Sequence, residues 1–296
     1  MKKIILSILF ISLAVFSFLS FDSRFNDSNI DVVVTTNHLG AIVNDLTRGT
    51  DIKVETLFQF GVDPHLYTLS FSDLNLIENS SLIIASGLHL EASMYEGLKN
   101  ISDTKDVLFV GDLLPKSELI EVSPIEPRYD PHFWFDLNLL SYSLDAVSSK
   151  LIEKFPQFED VILANTKTFK SDLLTLRSDI KSLEKSKVKY LITSHDAFSY
   201  LAREMDFELK TLIGVNTNSD FTQFELNQLK DFILKNDIDR VFAETTFDPK
   251  PLFKLQDLLS LQGYDVEIVS GLLGDSLLFG QSFFDFYRHN LKLIYG

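Results

Sequence analysis

The 296-residue chain is 45% hydrophobic, carries a formal charge of −15 and has no cysteine. That hydrophobic share belongs to a globular chain rather than a disordered one, and an acidic surface repels nucleic acid and anionic lipid. The lack of cysteine excludes disulfides, thiolate metal sites, a cysteine nucleophile and lipidation at an N-terminal cysteine.

Residues 1–20, "MKKIILSILFISLAVFSFLS", place Lys2 and Lys3 ahead of an apolar run from Ile4 to Leu19. A basic start, a short apolar stretch and small residues after it form the layout of a secretory signal peptide. The run is about 16 residues, short of the ~20 that a spanning helix needs. Val15-Phe16-Ser17 and Phe18-Leu19-Ser20 are the candidate cleavage sites. Neither is Ala-x-Ala, so an uncleaved N-terminal anchor is the alternative. Both readings put the chain in the periplasm or another extracytoplasmic space. About 275 residues then remain, which suits two lobes better than one small core.

After the leader, strand and helix patterns alternate. "DVVVTT" (31–36), "KVETLF" (53–58), "SLIIAS" (81–86) and "DVLFV" (106–110) read as strands. "LGAIVNDLTRG" (39–49), "FSDLNLIENS" (71–80) and "EASMYEGLKN" (91–100) read as helices, the second with Ser72 and Asp73 as capping candidates. A second set follows. Its strands are "VKYLIT" (188–193), "FELKTL" (207–212), "DRVFAE" (239–244) and "YDVEIV" (264–269), with helical segments between them. Strands alternating with helices imply parallel sheets.

Between the sets lies a helical stretch. "LNLLSYSLDAVSSKLIEKF" (137–155) is one helix, and Pro156 permits a new start. From 157 to 186, Phe158, Ile162, Phe169, Leu173, Leu176, Ile180 and Leu183 recur at three-, four- and seven-residue spacings. That spacing makes one apolar stripe along a helix of about 30 residues, ~45 Å long. The expected division is a leader at 1–20, an α/β lobe at 29–155, a linking helix at 156–187 and a second α/β lobe at 188–296.

Two of the six histidines, His65 and His132, sit in the same tripeptide, Asp-Pro-His. In α/β units, ligands bind where strands run into loops. His65 follows the strand at 53–58, His132 lies in the connector after 106–110, and His195 lies just beyond 188–193. Pro64 and Pro131 stiffen the approach to each imidazole. Asp63 and Asp130 are placed either to accept the second ring N–H, as metal-bound imidazoles require, or to cap a turn. His38, His89 and His289 fit structural roles, and no HExxH signature of a zinc protease is present.

The segments "GVDPHLYTLSFSDLNLIENSSLIIASGLHLE", "DPHFWFD", "ITSHDAFSYLAREM", "VFAE" and "DSLLFGQSFFDFYRHN" together resemble the periplasmic metal-binding receptors of ABC importers for manganese, zinc or iron, the TroA-like family. The resemblance covers nearly the whole chain after the leader. It implies two α/β lobes, each with a parallel four-stranded sheet, joined by one long helix, with a metal at their interface. The family's first two ligands fall on His65 and His132, and the third on His195. The fourth is a carboxylate after the last strand. The commonest pattern has Asp directly after that strand, where this chain has Gly271, so the role passes to Asp275. Glu244, at a position the family often keeps acidic, is expected to orient a ligand or bridge the lobes.

The implied function is capture of one divalent ion, Mn2+, Zn2+ or Fe2+, by a monomer that delivers it to a membrane permease, with no enzymatic activity and no nucleic acid partner. The connector 113–129 has no histidine, unlike the His-rich loop of many zinc-dedicated relatives, which leans towards manganese or iron. The alternatives are an exported zinc-dependent hydrolase with Glu244 or Asp196 as base, and a metal-binding adhesin.

Overall fold

Val32, Val33 and Val34 form β1 (Val32–Val34), and all three are fully buried. The structure is a computed structural model that describes residues 30–125, 129–183, 188–215, 217 and 221–296. The leader expected at 1–20 lies outside them. The first sheet is completed by β2 (Val54–Thr56), β3 (Leu82–Ala85) and β4 (Val107–Phe109), all parallel, in the order β2-β1-β3-β4. The composition explains the order. β1 and β3 are uninterrupted apolar runs and take the centre, where both faces are covered. β2, which carries Glu55 between Val54 and Thr56, takes an edge.

Helices α1 (Asn37–Leu46), α2 (Phe71–Asn79) and α3 (Ser93–Ile101) connect these strands. Thr36 caps α1, accepting from the Leu39 N–H. In α2 the cap is Ser70, one residue before the expected helix start. Asp73 reaches back to the Ser70 N–H to complete a capping box. Ser72 takes no part as cap.

The second sheet repeats the plan with β5 (Tyr190–His195), β6 (Glu208–Ile213), β7 (Arg240–Glu244) and β8 (Glu267–Leu272), parallel, in the order β6-β5-β7-β8. Its helices are α6 (Ser199–Met205), α7 (Gln223–Asn236) and α8 (Lys250–Ser260). In each sheet the chain moves first to one side of the starting strand and then to the other. Such reversal opens a crevice beyond the strands' C-terminal ends.

Two helices come between the sheets: α4 (Leu137–Lys154) and α5 (Glu159–Leu183). α5 has 25 residues, or ~37 Å, and is shorter than the sequence stripe suggested. Residues Pro156–Phe158 turn as a 3-10 segment instead of joining it, and 184–187 lie outside the described residues. Ile162, Phe169, Leu173, Leu176 and Ile180 are buried along it as expected. The last helix, α9 (Phe283–Tyr295), packs against β8 and α5. One core runs through both lobes: Val32 and Leu46 of the first lobe and Leu191, Phe198 and Tyr287 of the second belong to the same buried cluster. Parting the lobes therefore strains a shared interior, which favours small motions over wide ones.

Candidate metal centre

Three loops and the end of β5 converge where the C-terminal ends of the two sheets face each other. His65 lies in the loop after β2. Its backbone N–H donates to Asp63 Oδ1 at 2.8 Å, closing an Asx turn that presents the ring. His132 precedes the 3-10 turn Phe133–Phe135 that leads into α4. Asp130 Oδ1 accepts the His132 backbone N–H at 2.9 Å and lies 2.7 Å from ring Nδ1. His195 is the last residue of β5, not a loop residue as the sequence suggested. Its N–H donates to Glu244 Oε1 at 3.0 Å, and Nδ1 lies 2.8 Å from Glu244 Oε2. Phe247 stacks on the ring at 4.3 Å.

Asp275 follows β8 by three residues. β8 runs to Leu272, further than the expected 269, because the strand carries a bulge. Ala243 pairs with Ser270 and Glu244 with Leu272, leaving Gly271 as the extra residue. Gly271 has φ +100°, a conformation that glycine adopts at little cost. The later end of β8 leaves Asp275 three residues beyond the strand instead of six beyond the expected end at 269.

The Nε2 atoms of His65 and His132 are 3.3 Å apart. Asp275 Oδ1 is 3.1 Å from His132 Nε2, and Oδ2 is 3.2 Å from His195 Nε2 and 4.0 Å from His65 Nε2. The four ligand atoms lie within 4.8 Å of one another, and all four residues are buried. They form the one such group of potential metal ligands among the described residues. A tetrahedral ion with bonds of ~2.0–2.1 Å separates its ligand atoms by about 3.3 Å. Neither oxygen of Asp275 nor either ring nitrogen of His195 makes a hydrogen bond of proper geometry. Close approach without alignment is what groups aimed at a common central point display.

The three imidazoles have unequal surroundings. Burial pushes His65 down to about 3, against the pull of Asp275, and the neighbouring His132 and His195 push the same way. Burial acts downward on His132 too, but Asp130 and Asp275 outweigh it and hold that ring up at about 9. Burial is likewise outweighed at His195 by Glu244 and Asp275, and its pKa stands well above the ordinary value. Burial would raise Asp275, yet His195 and His132 hold it well below the usual carboxylate range. Asp130 and Glu244 thus each hold one ring. Asp63 instead gives one oxygen to the His65 backbone N–H, and the other, Oδ2, accepts from Thr217 Oγ1 at 2.9 Å.

Glu244 is committed to His195, and Asp196 Oδ1 accepts from Ser199 Oγ at 2.6 Å. His38 is buried, stacked on Trp134 at 4.4 Å. His289 Nε2–H donates to the Gly271 carbonyl at 2.8 Å. Sequence reasoning passed over the residues that hold the Asp275 loop. Asn290 accepts from Leu273 N–H at 2.8 Å and donates to its carbonyl at 2.7 Å, and Asn37 grips the next turn. One signal was available: Asn290 is a polar residue among the buried Phe286, Tyr287, Leu291 and Ile294 of α9.

Two α/β lobes with one core, and a buried cluster of imidazoles and carboxylate between their sheets, define a binding protein for a metal ion. The family described as the periplasmic component A of the zinc-uptake complex, ZnuA, matches residues 32–296, and the chain belongs to it. It is similar to the manganese-binding lipoprotein MntA of Bacillus subtilis, 31% identical over 279 residues, 90% of this chain and 89% of that protein. The solved structure of the periplasmic zinc-binding protein TroA of Treponema pallidum superposes with a TM-score of 0.85 at 30% identity, covering 90% of this chain and 98% of that one. The Fe(III)-bound YtgA of Chlamydia trachomatis does so at 0.78 and 25% identity, covering 90% and 96%. These are substrate-binding proteins of metal transport, not enzymes, and the chain is a metal-binding receptor of the ABC-transporter class. Among the described residues no helix is long and apolar enough to cross a membrane.

Proposed function

We propose that the chain captures one divalent transition-metal ion through His65, His132, His195 and Asp275 and delivers it to the permease of an ABC importer. The supporting observation is the cluster itself: four buried ligand atoms within 4.8 Å, with the carboxylate and the His195 ring close but not hydrogen-bonded. Three imidazoles and one carboxylate suit Zn2+, Mn2+ and Fe2+ alike, so geometry and supply decide among them. Relatives with manganese, zinc and iron in their descriptions fit that breadth. The protein acts as a monomer, exported by residues 1–20 and working outside the cytoplasmic membrane.

A cellular uptake assay tests this reading. Cells that lack the chain accumulate less radiolabelled Mn2+ or Zn2+ from medium poor in metal. The wild-type chain restores uptake and the His132→Ala variant does not. Equal restoration by both would overturn the proposal.

A further inference from the structure

The lobes are joined at the site by hydrogen bonds that involve no ligand atom. Asn37, at the start of α1, faces the turn that follows Asp275. Its Nδ2–H donates to Ser276 Oγ at 2.9 Å, and its Oδ1 accepts the Leu277 N–H at 2.8 Å. Ser276 Oγ also accepts the Gly61 N–H at 2.7 Å and donates to the Leu277 carbonyl at 3.0 Å. Asn37 and Ser276 are buried, with 5% and 0% of their surface exposed. Gly61 lies in the first lobe, four residues before His65, and Ser276 directly follows Asp275. One hydroxyl therefore ties the loop of the first histidine to the loop of the acid. The Asp63–Thr217 bond spans the lobes on the other side of the same loop.

The Asp275 loop is held from its own lobe as well. Asn290 brackets Leu273, and His289 holds the Gly271 carbonyl. Those bonds move with the second lobe. The bonds from Asn37 and Gly61 do not, because they belong to the first. Any separation of the Asp275 turn from the His65 loop requires the Asn37–Ser276–Gly61 bonds to break. A cavity of about 320 Å3, lined by Asn37, Thr56, Phe60, Leu277 and Gln281, adjoins Asn37, so water is at hand to take over the released groups.

Building on the metal-capture reading, we infer that Asn37 is a positioning residue. With Ser276 it forms a cross-lobe latch that sets the His65 and Asp275 loops at ligand distance and slows release of the ion. The latch contributes bonds that exist only when the lobes are closed, so it acts on dissociation more than on encounter.

The test is the rate at which a chromogenic chelator strips Zn2+ from the full protein, measured by stopped flow. Asn37→Ala and Ser276→Ala are each expected to speed dissociation tenfold or more, with association changed less than threefold. The metal-free variants keep the wild-type circular dichroism. The double variant releases no more than about threefold faster than either single one, because the two residues act as a unit. If Asn37→Ala does not fold, Ser276→Ala, which deletes one hydroxyl, carries the test. Wild-type release rates in the folded variants, or fully multiplicative effects in the double variant, would overturn the latch and leave metal capture standing. A wild-type protein that binds none of Zn2+, Mn2+ and Fe2+ would sink both.

Discussion

Replacing Asp130 with Asn removes one negative charge and keeps the shape of the side chain. In the structure Asp130 Oδ1 meets both the backbone N–H and the ring Nδ1 of His132, at 2.9 and 2.7 Å, in a fully buried setting. A hydrogen bond to a charged partner contributes about 1.5–3 kcal/mol and a neutral one about 1. The exchange should therefore cost about 1–2 kcal/mol of support for the ring, or roughly five- to thirtyfold in metal affinity. That overlaps the roughly 10–100-fold typical for partners of metal-bound histidines. Asp63→Asn is the matched control from the other Asp-Pro-His motif. Asp63 meets the backbone of His65 and the hydroxyl of Thr217, and an amide can serve both. Its affinity should stay within about threefold of wild type. Competition titrations with a chromophoric chelator at pH 7.5 measure both variants. Wild-type affinity in Asp130→Asn, or equal losses in the two, would refute the reasoning.

A Cβ at Gly274 would stand 2.7 Å from Glu244 Oε2 and 3.2 Å from Ala197 Cβ. Gly274→Ala should push Glu244 off the His195 ring and weaken metal binding about tenfold, with unchanged affinity by titration counting against that role for Glu244. Glu91 is pushed up to about 7 by burial, although the Thr35 hydroxyl and the Ser86 and Gly87 N–H groups pull it down. Its folded pKa lies above the ordinary 4.5. Its contribution to stability is thus present below pH 4.5 and lost as pH rises to about 7, up to about 3 kcal/mol. Urea melts of the metal-free protein at pH 5 and 7.5 compare the wild type with Glu91→Gln: the buried histidines titrate alike in both, so between the two pH values the wild type should lose about 2–3 kcal/mol more than the variant, and the same change in both would assign the loss elsewhere. Leu176 is fully buried in α5. Leu176→Ala should cost about 2–5 kcal/mol in urea unfolding, and a cost below 1 would mean that the linking helix is not part of the core.

Much of this architecture was legible because it rests on local pattern. The uninterrupted runs Val32–Val34 and Leu82–Ala85 read as buried strands of a parallel sheet, and the structure places both at its centre. All eight strands fall where the apolar runs put them, and the stripe from Ile162 to Ile180 marked the linking helix. Boundaries were less legible. Pro156 opened a 3-10 turn rather than the helix, and β8 ran past its apolar run through Ser270 and Gly271 because the bulge let it keep pairing with β7. The paired histidines pointed to two members of the buried cluster, since proline and aspartate around an imidazole carry a chemical meaning. What the tripeptide hid was the inequality of its two copies. Asp130 meets its ring, whereas the second oxygen of Asp63 meets Thr217, 154 residues distant. Asn37 and Ser276, 239 residues apart, carried no local signal, because a cross-lobe hydrogen bond is a property of the assembled fold.

Metal content of protein purified without added metal tests the central claim most directly. Elemental analysis by plasma mass spectrometry should find one transition-metal ion per wild-type chain. His132→Ala, with its α/β circular dichroism intact, should hold close to none. One ion per chain in that variant would contradict the site described between the two lobes.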